Sequence, residues 1–216
     1  MVPLVVAGAA AAAVVVTNAL DFQAGFSSRL LNANLSASWS HRATAVALVA
    51  GTVIALLRAG RAGDRLLWTL SGIALLALFV VEVSSVHVEV DRLSYGKLIY
   101  LPLLIALVWG VSRLAAGRAP AALVRAGVLT LIISYAIHVF GVHIVEALGW
   151  GIQSLAYQLK VGVKQGTELA GWLMLVLALW RLAGLTRSSA PAALDDRLGG
   201  ARKLSKWAIG SRRERA

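Results

Sequence analysis

The chain has 216 residues, of which 59% are hydrophobic and 14% are charged, and its formal net charge is +11. A mean hydropathy of +0.77 excludes a soluble domain of this length, so the composition indicates an integral membrane protein. The sequence contains no cysteine, which excludes disulfides, thiolate metal sites and cysteine nucleophiles.

Six apolar windows follow one another along the chain, most of them near the length of about 20 residues that a helix needs to cross a bilayer. They cover residues 2–20, 43–57, 66–86, 98–114, 123–148 and 169–185. Apolar residues occupy every face of these windows, whereas the strands of a membrane barrel would alternate apolar and polar residues. We therefore predict an all-α polytopic bundle of about six transmembrane helices over residues 1–186, followed by a basic tail over residues 187–216.

The distribution of arginine predicts the orientation. The loops after the second and fourth windows and the tail are rich in arginine, whereas the other connections mix acidic and basic residues. The positive-inside rule then places both termini on the cytoplasmic side. We expect a multi-pass protein of the bacterial inner membrane. Residues 1–20 lack the basic region that opens a signal peptide, so we expect the first helix to be retained, with cleavage as the alternative.

Two outer segments carry patterns typical of a membrane interface. The first places Phe22, Phe26 and Leu30 at steps of four residues, with Trp39 as an interfacial anchor. The second, residues 149–165, gathers apolar side chains on one helical face. We expect short interfacial helices at these places, or, for the second segment, an outward extension of the sixth helix.

The tail combines basic residues with a short apolar stripe. Its pattern predicts an amphipathic helix whose Arg202, Lys203, Lys206 and Trp207 contact anionic lipid headgroups, the alternative being an unstructured flank that fixes topology. No interleaved aromatic platform accompanies the charge, so membrane lipids are expected as partners and nucleic acid is not. A homo-oligomer or another subunit remains open as a partner.

Polar residues interrupt the apolar windows in the outer half. The third window ends in "VVEVSSVHVEV", residues 80–90, and the fifth contains "SYAIHVFGVHIVE", residues 134–146. Because ionisable groups in membrane helices face the bundle interior or a cavity, we expect these windows to form one titratable cluster. Its candidates for binding an ion or proton are Glu82, Ser85, Tyr135, His138 and Glu146. The alternative is that these residues only lock helix packing, with Glu82 paired to His138 or Tyr135.

A metal site is a second reading of the same region. His143 and Glu146 are three residues apart on one helical face, and His87 and Glu168 would complete the ligand set. A haem would need histidines on facing helices, and only His87 could partner His138 or His143, so the pattern does not favour haem. The cofactor is left open, with a metal ion as the candidate.

Three segments in sequence, "NLSASWSHRATAVALVAG", "VEVSSVHVE" and "SLAYQLKVGVKQGTELAGW", resemble a loose group of uncharacterised bacterial six-helix membrane proteins. In that group the third helix ends in an acidic D-E-x-x-S-x-H-E type segment. The matching residues are Glu82, Ser85 and His87, with Glu168 and Gly171 at the start of the last helix, while Val81 and Val88 replace the other acids. The resemblance implies the six-helix fold and supplies no established activity.

Three classes of function follow from these patterns. The first is an ion- or proton-handling transporter or channel. The others are a non-catalytic subunit of a membrane complex and a metal-dependent intramembrane hydrolase acting on lipid at the outer leaflet. A polar path reaching the inner face would favour transport, whereas a closed outer pocket open sideways to lipid would favour the hydrolase.

Overall fold

The computed structural model describes residues 2–60, 63–84, 101–151 and 153–188. These ranges contain α1 (Val2–Gln23), α2 (Trp39–Ala59), α3 (Arg65–Val83), α4 (Leu101–Ala115), α5 (Ala121–Ala147) and α6 (Leu155–Ser188). Five of the helices are long and apolar enough to cross a membrane, and α4 is a shorter apolar helix. The predicted all-α class is confirmed, and the helices are consistent with a multi-pass membrane bundle.

Local signals in the sequence set several helix ends. The side chain of Ser38 caps α2 by accepting a hydrogen bond from the backbone N–H of His41 at 3.4 Å. Gly149, with φ of 72°, follows α5, and its N–H donates to the carbonyl of Glu146 at 2.9 Å. Glycine adopts this left-handed conformation without a Cβ clash, so the helix stops there.

Five helices form a ring in which α2, α3, α4, α5 and α6 each contact the next, and α6 returns to α2. The sixth, α1, packs along α6. That contact is close because Gly162 and Gly166 of α6 face the backbone of α1. A Cβ at Gly166 would lie 2.7 Å from the carbonyl oxygen of Ala11, and one at Gly162 would lie 3.1 Å from Cα of Val15. Small residues four apart therefore let the two backbones meet.

The two ends of the bundle differ in chemistry. One end holds the α2–α3 and α4–α5 connections, which are joined by an ion pair between Arg118 and Asp64 at 3.3 Å. We name it the arginine-rich end. The core on that side is apolar, with side chains that are at most 1% exposed: Trp68, Leu75, Val111, Leu114, Leu179 and Leu182. At the opposite end, named the polar end, α1, α3 and α5 finish and α2 and α6 begin.

The two segments expected at the membrane interface fold in different ways. Residues 24–38 form turns and not the expected interfacial helix, because Gly25 and Phe26 both adopt positive φ. Buried side chains of α1 hold this connection in place: Asn18 accepts from the N–H of Ala33 and Asp21 accepts from that of Ser28, both at 2.8 Å. The second segment follows the alternative, since residues from 155 onward belong to the continuous helix α6.

Candidate functional site

A cavity of about 160 Å³ lies between the five helices of the ring, in the half of the bundle near the polar end. Every helix of the ring contributes to its wall. The polar lining residues are His41, Glu82, Ser134, Tyr135, His138, Lys164 and Glu168, and the apolar ones are Leu48, Leu78, Val81, Leu104, Leu131 and Trp172. The space is large enough for several water molecules or a small ion.

Glu82 and His41 form the first ionisable pair in the cavity. Glu82 lies in the last turn of α3 and His41 in the first turn of α2, and Oε1 of the acid is 2.6 Å from Nδ1 of the imidazole. The two side chains are only 17% and 13% exposed. The sequence pointed to His138 or Tyr135 as the partner of Glu82, and these two residues line the same cavity.

The other ring nitrogen of His41 faces α6. Its Nε2 atom is 3.0 Å from Nε2 of Gln165, whose side chain is buried. Gln165 lies on a buried stripe of α6 together with Gly162, Leu169 and Trp172. Since an amide buried among apolar residues is stable only when it is hydrogen-bonded, this contact explains a glutamine at that position. Glu82, His41 and Gln165 thus form a polar chain across α3, α2 and α6.

Lys164 and Glu168 form the second pair, one turn apart on α6. Nζ of Lys164 is 2.6 Å from Oε2 of Glu168, and the side chains are 20% and 19% exposed. Ser134 on α5 donates its hydroxyl proton to the backbone carbonyl of Lys164 at 2.9 Å. Glu168 also interacts electrostatically with His41 and His138. The two ionisable pairs therefore line one cavity.

The floor of the cavity is apolar. Leu48 lies seven residues after His41 in α2, which is about 10 Å deeper along the helix axis. Leu78, Leu104, Leu131 and Trp172 complete this floor. Beyond it lies the apolar core of the arginine-rich half. The ionisable lining is thus confined to one half of the bundle.

The remaining candidate residues lie elsewhere. His143 and Glu146 are near the end of α5, are 77% and 67% exposed, and approach each other to 3.8 Å. They are not part of the cavity wall, whereas Glu168 is. Within the ranges described above, no three His, Cys, Asp or Glu side chains are grouped closely enough to hold a metal ion. Ser85, His87 and the tail residues Arg202, Lys203, Lys206 and Trp207 fall outside the described residues.

Two residues of the site were missed by sequence reasoning. His41 reads as a polar helix end, because it follows the cap of α2 by only three positions. Gln165 reads as part of an amphipathic surface, although its spacing from Leu169 and Trp172 places it on the buried face of α6. The signal in the sequence is Gln165 itself, which is the single polar residue on a helical stripe of otherwise small and apolar residues.

Fold and cavity together define a helical membrane bundle with a buried cluster of ionisable side chains in one half. No family model matches the chain, and comparison with curated proteins and with solved structures gives no match either. The functional assignment therefore depends on the geometry of the cavity.

Proposed function

We propose that the chain is a multi-pass protein of the bacterial inner membrane that binds and moves a proton or a small ion through this cavity. The observation that carries the proposal is the pair of ionisable contacts, Glu82 with His41 and Lys164 with Glu168, around a cavity in an apolar bundle. Ionisable residues at membrane depth are expensive to retain and mark ion or proton pathways.

Among the described residues no polar path runs from the cavity to the arginine-rich end, which disfavours an open channel and is compatible with a carrier. Conduction needs a polar or hydrated route past every constriction, and Leu48, Leu78 and Trp172 close the described cavity toward the arginine-rich end. A carrier instead exposes one site to each side in turn as helices rock around it. The proposed cycle therefore includes a second conformation in which the floor opens.

Orientation belongs to the same proposal. The arginines of the α2–α3 and α4–α5 connections face the cytoplasm, in accordance with the positive-inside rule, so the cavity opens toward the outer side. The resemblance to six-helix proteins with an E-x-x-S-x-H segment is compatible with this reading, because Glu82 supplies the acid of that segment and lines the cavity.

The test compares Glu82→Gln with the wild-type protein in liposomes. Asp64→Asn is the matched control, since Asp64 is an acid at the arginine-rich end whose side chain is 49% exposed. Proton and cation flux are followed with enclosed dyes, and thermal unfolding is measured in detergent. We expect Glu82→Gln to fold and lose flux, because the amide can still hydrogen-bond to His41 and cannot carry a charge, whereas Asp64→Asn keeps wild-type flux.

Unchanged flux in Glu82→Gln would reject Glu82 as the site. No flux in the wild-type protein would reject transport and favour the non-catalytic subunit. One observation already supports that second candidate, because the polar chain from Glu82 through His41 to Gln165 joins three helices and would lock their packing.

A further inference from the structure

The two ring nitrogens of His41 face partners of different chemistry. Nδ1 is 2.6 Å from a carboxylate oxygen of Glu82, and Nε2 is 3.0 Å from the amide of Gln165. When Glu82 is ionised, its carboxylate only accepts hydrogen bonds, and Nδ1 of His41 then carries the hydrogen between them. A side-chain amide both donates and accepts, and rotation by about 180° exchanges its NH₂ group and its oxygen. Gln165 can therefore match Nε2 with or without a proton.

We infer that the cargo of this site is a proton and that His41 binds it at Nε2, between Glu82 and Gln165. The inference rests on the proposed transport function and names its substrate. Gln165 is a positioning residue here: its amide donates to the neutral ring, and after rotation its oxygen accepts from the imidazolium. Each protonation state of His41 thereby keeps a complete set of hydrogen bonds.

The proton step breaks an O–H bond of a hydronium ion and forms the Nε2–H bond of His41. With Glu82 ionised and His41 neutral, the lone pair of Nε2 accepts from the amide of Gln165, and rotation of that amide frees the lone pair. A hydronium ion in the cavity gives its proton to Nε2 and becomes a water molecule, and the new N–H group then donates to the oxygen of Gln165. The net charge of the Glu82 and His41 pair changes from −1 to 0. Loss of the same proton to the other side of the membrane, after the floor opens, restores the starting state.

The wall chemistry argues against a metal cation as cargo. Hard cations such as Ca²⁺ need six or more oxygen ligands, and Mg²⁺ needs six in near-octahedral geometry. Here the ammonium of Lys164 already lies 2.6 Å from Glu168, and the imidazole of His41 lies against Glu82. A metal ion would have to displace a positive or proton-bearing nitrogen from each acid, whereas a proton is taken up by a nitrogen already in place.

Titratable groups from the neighbouring helices line the cavity together with His41. α3 supplies Glu82, α5 supplies Tyr135 and His138, and α6 supplies Lys164 and Glu168. α4 contributes Leu104 to the wall. Because Glu168 interacts with both His41 and His138, uptake of a proton at His41 changes the field at the Lys164 and Glu168 pair as well. That coupling gives proton binding a way to act on α5 and α6.

The test reads the protonation of His41 directly. Full-length protein with ¹⁵N-labelled histidine is reconstituted in lipid, and its ring-nitrogen resonances are recorded across a pH series. The signals of His41 are assigned by their loss in His41→Gln. We expect a single neutral tautomer, with hydrogen on Nδ1, at alkaline pH, and a doubly protonated ring at acidic pH.

Two variants of Gln165 separate positioning from simple packing. Gln165→Leu removes both the NH₂ donor and the oxygen acceptor that Gln165 offers to Nε2. We therefore expect the Nε2 resonance of His41 to shift and proton flux to fall at least tenfold. Gln165→Glu offers only an acceptor, so Nε2 should carry a hydrogen at a pH where the wild-type ring is neutral. Gln23→Glu, at the exposed end of α1, is the control and should leave the His41 spectrum unchanged.

The possible results distinguish the inference about the proton at His41 from the proposed transport function on which it rests. Identical His41 spectra in wild type and both Gln165 variants would overturn the inference. Flux of sodium or potassium with no dependence on a proton gradient would overturn the proton as cargo and leave transport standing. A His41 spectrum that responds to Gln165, in a protein without any flux, would support the proton site and reject transport.

Discussion

Lys164 and Glu168 show how an acid is kept inside an otherwise apolar bundle. Each side chain is about four-fifths buried, and their charged atoms are 2.6 Å apart. Transfer of two charges out of water costs several kcal/mol, which the attraction between them offsets when the geometry is good. Removing one partner leaves the other charge buried and unmatched, which is far worse than removing both.

This asymmetry predicts the behaviour of three variants. Lys164→Met should lower the free energy of unfolding by about 3 kcal/mol, because Glu168 loses its ammonium partner in a poorly hydrated site. The double variant Lys164→Met with Glu168→Gln should recover most of that loss. Denaturant unfolding of the purified protein in detergent measures both. A double variant that is as unstable as Lys164→Met alone would contradict the view that the buried charge of Glu168 is stabilised by its pairing with Lys164.

At the scale of elements, α6 organises the molecule. It contacts α1, α2 and α5, and it carries both the Lys164 and Glu168 pair and Gln165. Its contact with α1 includes Gly162 and Gly166, and Gln165 beside them reaches His41 of α2. One helix therefore serves both as the packing partner of α1 and as part of the cavity wall.

The same substitution at two glycines of α6 should have opposite effects. Gly166→Ala places a methyl group 2.7 Å from the backbone carbonyl of Ala11, and backbone atoms cannot move aside easily. We expect a loss of about 1 to 3 kcal/mol from overpacking. Gly184→Ala meets nothing within 4 Å, so it should be neutral or stabilise by up to about 1 kcal/mol through helix propensity. Thermal unfolding in detergent compares them, and equal stability would contradict the close α1–α6 contact.

At the scale of the whole molecule, polar and apolar halves are stacked along the helix axes. The arginine-rich end holds the Arg118 and Asp64 ion pair and lies next to the apolar core, and the polar end holds the cavity. The orientation of this stack relative to the membrane determines which side of the membrane the cavity lies nearer to.

Single cysteines test that orientation cleanly, because the natural chain has none. Gly60→Cys, Ala119→Cys and Gly200→Cys should be protected from a membrane-impermeant thiol reagent added outside intact cells. Ser27→Cys, in the connection between α1 and α2, should be labelled. Labelling at residue 200 with protection at residue 27 would invert the topology and turn the cavity toward the cytoplasm.

The sequence predicts the positions of the helices along the chain better than it predicts the contacts between them. Apolar length locates α1, α2, α3 and α5 within a few residues, since spanning hydrocarbon is a local requirement. It misjudged residues 24–38, because regular spacing of apolar residues does not reveal a positive φ at Gly25 and Phe26. It found Glu82 and missed His41 as its partner, since which helix ends meet depends on the ring of α2 to α6 and not on either segment alone.

The apolar floor beneath His41 also has an electrical consequence. Where water enters the cavity from the polar end, it carries the potential of that side down toward the level of Leu48. Most of the transmembrane voltage then falls across the apolar half of the bundle, between the floor and the arginine-rich end. A full crossing is worth about 2.3 kcal/mol per elementary charge per 100 mV. Movement of a proton past Trp172 would therefore carry most of the voltage dependence, whereas its binding at His41 would carry little.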